Sequence, residues 1–208
     1  MDFKLFRTLI GNDFARSRGT SRREFKSWLA DGRYQINSIA ASGDEIELYV
    51  PDNERLMESL GYDFSRFACA SFESMREIQE SENFPKATAW AGIKSYYSAF
   101  FAAHAIMRMF GVTCSQIESA QAALVSKYAG LYGVSNKISN GFYIGIFESD
   151  SKCLKLKKLK DTHKDTWGAF SKKLNLLSVA ILTVPGLSSD KAAVSSFLSA
   201  VSRVLECN

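Results

Sequence analysis

Residues 86–110, KATAWAGIKSYYSAFFAAHAIMRMF, decide the fold. Pro85 stands just before this stretch, where a missing backbone N–H costs a helix nothing, and Gly111 follows it as a stop. Small and aromatic residues alternate through it, and no carboxylate interrupts them. The pattern predicts a central helix buried over much of its circumference. Trp90, Ile93, Tyr97, Phe100 or Phe101, His104 and Arg108 recur at three- and four-residue steps. Tyr97, His104 and Arg108 are therefore expected on one stripe. An imidazole, a phenol and a guanidinium so placed can bind a phosphate, or move a proton while another group holds charge. The competing reading makes them core residues whose polar atoms are satisfied by neighbours.

Working outward, helical spacing returns on both sides. Residues 2–15 put Phe3, Phe6, Leu9, Ile10 and Phe14 on one face. A short helix is expected from Ser21 to Ala30, another from Asn53 to Leu60 closed by Gly61, and longer ones over 64–80 and 115–128. Two more are expected over 161–183 and 188–205, separated by Pro185-Gly186. Strand-like alternation is confined to two places. Tyr34, Ile36 and Ile39 precede a Ser42-Gly43-Asp44 turn that leads to Ile46, Leu48 and Val50. Phe142, Ile144 and Ile146 precede a turn at 148–151, and Leu154 and Leu156 then alternate with Lys155 and Lys157. The expectation is a mainly α protein with one or two small β-hairpins.

Composition agrees with a soluble globular chain. Its 208 residues are 46% hydrophobic and 23% charged, which excludes a disordered or collagen-like polymer. The longest apolar-rich run, 99–106, is too short to span a bilayer, and the first residues lack the apolar core of a signal peptide. Cys69, Cys114, Cys153 and Cys207 form no CxxC and the chain has only two histidines. Reduced thiols, a cytoplasmic location, no metal and no cofactor are expected. The net charge of +4 is mild, but its distribution is not. Arg16, Arg18, Arg22, Arg23 and Lys26 form one basic run. Lys152, Lys155, Lys157, Lys158, Lys160, Lys164, Lys172 and Lys173 form another, against only Asp161 and Asp165. Such runs are solvated faces or, brought together, a phosphate-binding surface.

The stretch 93–111 resembles the signature helix of HEPN proteins, the higher-eukaryote and prokaryote nucleotide-binding family. The likeness rests on the run Tyr-Tyr-Ser-Ala-Phe-Phe, the following Ala-His-Ala and the closing Gly111. His163, Trp167 and Phe170 echo a later helix of that family. The resemblance covers about residues 62–206 and implies an up-and-down helical bundle over 61–208, commonly a homodimer. Residues 1–60 would then be a helical and hairpin extension.

Many members of that family are metal-independent ribonucleases of antiphage defence or toxin–antitoxin systems. Their motif is an Arg followed, after four to six residues, by a His. Here the positions before His104 hold Tyr97, Ser98 and Ala99, and those before His163 hold Leu156, Lys157 and Lys158. The motif is not intact. The arrangement expected in its place, if the fold brings the chain's only two histidines together, is an acid–base pair of His104 and His163, with Arg108 or Lys160 holding the phosphate. RNA would lie along Tyr97, Lys157, Lys158, Lys160 and Lys164. The alternative is a non-catalytic helical adaptor that dimerises and docks onto a larger effector, a protein partner encoded in the same locus. No membrane partner is expected.

Overall fold

The computed structural model describes residues 22–80, 88–184 and 189–206. The helix expected over 2–15 lies outside these residues. In chain order the elements are α1 (Phe25–Asp31), β1 (Gln35–Ile39), β2 (Glu45–Tyr49), α2 (Glu54–Glu80), α3 (Thr88–Met109) and β3 (Val112–Ile117). They continue with α4 (Ser119–Leu131), β4 (Gly141–Glu148), β5 (Cys153–Lys158), α5 (Thr162–Thr183) and α6 (Ser189–Glu206).

The strands form one five-stranded sheet in the order β1-β2-β5-β4-β3, with every neighbouring pair antiparallel. This overturns the expectation of a mainly α, up-and-down helical bundle carrying one or two small hairpins: the protein is mixed α/β. The two expected hairpins do form, but they do not stand apart. Strand β2 of the first pairs with β5 of the second, setting Glu45 opposite Lys157 and Glu47 opposite Lys155. Opposite charges facing across a ladder favour that register. A fifth strand, β3, arises from residues that the sequence pattern assigns partly to a helix start at Ser115. Five of its six residues are buried, so it shows none of the alternation that marks a half-exposed strand.

Two cores explain this. On one sheet face Ile36, Leu48, Leu154, Leu156, Tyr143 and Phe147 pack against Phe25, Trp28, Leu56, Leu60 and Val125 from α1, α2 and α4. At the β3 end, Val112 and Cys114 point the other way and pack with Met107, Phe170, Leu174 and Leu198 from α3, α5 and α6. On β4 the buried aromatics are Tyr143 and Phe147, while Phe142 and Ile146 are exposed. The boundary expected near residue 60 falls inside α2, and Leu56 and Leu60 share the first core with strands from the second half of the chain.

Helix α2 runs unbroken through Gly61, where a stop is expected. A glycine inside a helix costs about 1 kcal/mol. Burying Leu56 and Leu60 is worth about 1.5–3 kcal/mol each, and both are buried to the last per cent or so. Tertiary burial therefore wins over propensity. Gly111 does end α3, adopting φ +71 with its N–H on the Arg108 carbonyl at 3.2 Å. Helices α2 and α3 pack through Ser71 and Ser98, each hydroxyl donating to the other's carbonyl at 2.9 Å. Helices α5 and α6 pack likewise through Ser171 with Ser202 and Ser178 with Ser199.

The loop after α4 crosses the outer side of β1. There the Asn136 side-chain amide donates to the Ile39 carbonyl at 2.8 Å, and the Tyr132 hydroxyl to the Tyr34 carbonyl at 3.4 Å. Among the described residues no helix is long and apolar enough to cross a membrane.

Candidate functional site

Helix α3 crosses from the helical part of the molecule to the sheet and carries one of the two histidines. His104 is 6% exposed. Its imidazole stacks on Phe67 with centroids 4.9 Å apart and meets the Phe100 ring edge-on at 4.6 Å. One turn on, Arg108 is 1% exposed and its guanidinium lies over the Phe67 ring, 4.2 Å from the centroid. Its Nη1 donates to the His104 carbonyl at 3.0 Å and to His104 Nδ1 at 3.2 Å, and its Nη2 donates to the Cys114 carbonyl at 3.2 Å. Because a guanidinium only donates, His104 Nδ1 accepts and the ring proton sits on Nε2.

The counter-ion of Arg108 is Asp63 of α2, with Nε to Oδ2 at 3.6 Å. Asp63 also accepts the Phe25 N–H at 3.3 Å and lies 3.7 Å from Arg66. Burial pushes the Asp63 carboxyl up, against the pull of Arg108, and pushes the Arg108 guanidinium down, against the pull of Asp63. Burial, the Arg108 charge and the His163 ring together lower His104 to about 3. His104 is thus neutral at physiological pH, with its Nδ1 accepting from Arg108. It borders a small cavity of about 280 Å³ together with Asp63, Arg66, Arg108, Phe67 and Phe142.

His163 is placed differently. It sits in the first turn of α5, exposed, with its ring stacked on Phe100 at 4.8 Å. Both imidazoles therefore contact one phenyl ring. Trp167 Nε1–H donates to the Tyr96 oxygen at 3.2 Å, and the Tyr96 hydroxyl lies 2.8 Å from His163 Nδ1. The Tyr96 oxygen accepts from Trp167 and keeps both a proton and a second lone pair for His163 Nδ1, so the His163 tautomer sets which of the two donates. His163 Nε2 is without a protein hydrogen bond among the described residues.

A groove of about 1060 Å³ opens beside this trio, between the chain following β5, the start of α5 and the end of α6. Lys157, Lys158, Lys160 and Lys164 all line it, with Tyr96 and Trp167, over an apolar base that includes Ile144 and Leu205. Two of the lysines are engaged elsewhere: Lys157 Nζ pairs with Glu45 at 2.6 Å, and Lys158 Nζ donates to Ser139 at 2.9 Å. Lys160 and Lys164 have no ion pair among the described residues. Their backbones are held by carboxylates instead. Asp161 caps α5 by accepting the Lys164 N–H, and Asp165 accepts the N–H groups of Lys160 and Asp161.

The four expected lysines thus meet, and His104 with Arg108 forms a separate buried cluster behind Phe100. Tyr97 does not line the groove. It is exposed and packs on Tyr96 and Phe101, so the phenol at the groove is its neighbour Tyr96. Residue spacing also missed Asp63 as the partner of Arg108, and Tyr96 as the partner of both His163 and Trp167. Among the described residues no three His, Cys, Asp or Glu side chains are grouped to hold a metal ion. Comparison of the chain with protein-family models, with curated proteins and with solved structures finds no match in any of the three.

Proposed function

We propose that this chain binds RNA along the lysine-lined groove, as an HEPN-like protein of a prokaryotic antiphage defence or toxin–antitoxin system acting in the cytoplasm. The observation that carries the reading is the convergence of Lys157, Lys158, Lys160 and Lys164 with Tyr96 and Trp167 around one groove. Ammonium groups neutralise phosphates, and an apolar aromatic base suits unpaired nucleobases, the combination that grips single strands. The likeness of residues 93–111 to the HEPN signature helix supports the same direction. His163 is the side chain suited to move a proton in metal-independent cleavage. Its Nδ1 lies 2.8 Å from the hydroxyl of Tyr96, a residue that lines the groove.

The test is RNA retention over a salt series, followed by incubation with total RNA in EDTA. Lys160→Glu with Lys164→Glu is expected to weaken retention by about tenfold or more and to reduce the salt slope by about 1.4, two phosphate contacts' worth. Retention unchanged by this pair ends the RNA reading. Cleavage is expected to disappear in His163→Ala and to persist in His104→Phe.

The second reading, a non-catalytic adaptor that forms a homodimer and docks onto a partner from the same locus, draws support from the neutral, enclosed His104 and from Arg108, whose two terminal nitrogens are spent on its own chain. Retention without cleavage, together with co-purification of a neighbouring gene product, selects it.

A further inference from the structure

Glycine weakens a helix interior, and Gly168 sits inside α5. No tight packing asks for it. A β-carbon built there would meet nothing within 4 Å, so a side chain at this position would take up open space. Gly168 lines the lysine-bordered groove next to Trp167, with Leu159 and Leu205 on the same wall. A residue that costs the helix and relieves no crowding keeps that part of the groove open.

A second residue of the groove is out of keeping with its charge. Glu206 lines it from the last turn of α6. A carboxylate there opposes the helix dipole and repels the phosphates that the lysines attract. It is not spent on those lysines. Lys157 and Lys158 pair with Glu45 and Asp44, and Glu206 has no ion pair among the described residues. The Ser171 hydroxyl donates to Glu206 Oε1 at 3.0 Å, while the Ser202 hydroxyl donates to the Ser171 carbonyl at 3.1 Å. Oε1 is thereby fixed, and Oε2 has no partner among the described residues. Ser171 lies three residues after Gly168 and so on the same side of α5, which sets Glu206 beside the open place. Asp165, which also lines the groove, is accounted for by the N–H groups of Lys160 and Asp161.

The geometry points to Gly168 and Glu206 as the seat of one unpaired base that carries an amine on its edge: adenine, cytosine or guanine, with uracil refused. The inference rests on RNA occupying the groove. A flat ring takes the space that a side chain at 168 would fill, against Trp167 and Leu205. An amine on its Watson–Crick edge donates to Glu206 Oε2. Uracil offers a single N–H flanked by two carbonyls, and those carbonyls repel a carboxylate. Pairing in a duplex consumes the same edge, so duplex RNA has nothing to present.

The test measures retention of short oligo(A), oligo(C) and oligo(U) of equal length by the full chain at one salt concentration. The parent is expected to hold oligo(A) and oligo(C) about tenfold more tightly than oligo(U). An abasic oligomer of the same charge should bind no better than oligo(U). Glu206→Gln, whose amide both donates and accepts, is expected to bring the three within about twofold of one another. Gly168→Leu should lower oligo(A) and oligo(C) to the oligo(U) level, with a thermal midpoint no lower than the parent's, since leucine is the better helix former. Equal, salt-dependent retention of all three by the parent overturns the inference and leaves the RNA reading standing. So does a preference unchanged in either variant. Should Gly168→Leu misfold, the abasic oligomer still decides: held as tightly as oligo(A), it shows that no base is seated. Retention of none of them, even at low salt, ends the RNA reading and this seat with it.

Discussion

Asp63→Ala is expected to destabilise the fold by about 3–5 kcal/mol in urea unfolding, the largest loss from any single side chain outside the apolar core. Asp63 is the carboxylate that faces Arg108, whose side chain is 1% exposed and whose Nε has no hydrogen bond. Removing the acid leaves a buried guanidinium charge without its counter-ion, and the chain has no way to neutralise an arginine by releasing its proton. It also takes away the acceptor for the Phe25 N–H at the start of α1. Replacing both charges, as Asp63→Ala with Arg108→Met, should recover much of the loss. The cost lies in an unpaired charge and not in a missing attraction. A single-variant loss below about 1 kcal/mol would show that Arg108 reaches solvent and that the pair is a surface contact.

Acid is expected to weaken the protein through His104. Its folded value of about 3 lies below the ordinary 6.5, so the unfolded chain takes up a proton that the folded chain refuses. The stability tied to this ring is complete above about pH 6.5 and is lost as the pH falls from there toward about pH 3, by up to about 1.4 kcal/mol per pH unit. Between about pH 7.5 and about pH 5 the loss amounts to about 2 kcal/mol. The raised Asp63 carboxyl acts in the opposite sense, since the folded chain accepts its proton first. The His104 contribution is therefore read as a difference. His104→Phe, which keeps a ring between Phe67 and Phe100, should show an unfolding midpoint that depends less on pH than the parent's. Identical pH profiles would mean that the imidazole takes up its proton as readily in the folded chain as in the unfolded one.

What was legible in the sequence was local. The boundary at Gly111, the turn at 42–44 and the Lys155/Lys157 alternation each have a mechanism confined to a few residues, and each element is present. The sheet was not legible as one object. Pairing of β2 with β5 joins segments far apart in the chain, and no period within either hairpin announces its partner. Strand β3 escaped because alternation marks a strand with one wet face, and this one is wedged between two cores. The site was half visible for similar reasons. His104 and Arg108 share one helix, so their spacing shows that they meet. Asp63 belongs to another helix, and nothing near it in the chain points to Arg108. The doublet Tyr96-Tyr97 hides a choice of helix face that only the approach of α5 settles, when His163 and Trp167 arrive at Tyr96.

The loop that runs along β1 has a consequence for solubility. Asn136 occupies the Ile39 carbonyl of the edge strand β1 and Tyr132 the Tyr34 carbonyl just before it, on an edge that would otherwise offer a template for strand addition. With that rim blunted, copies of the protein should resist stacking through their sheets into fibrils.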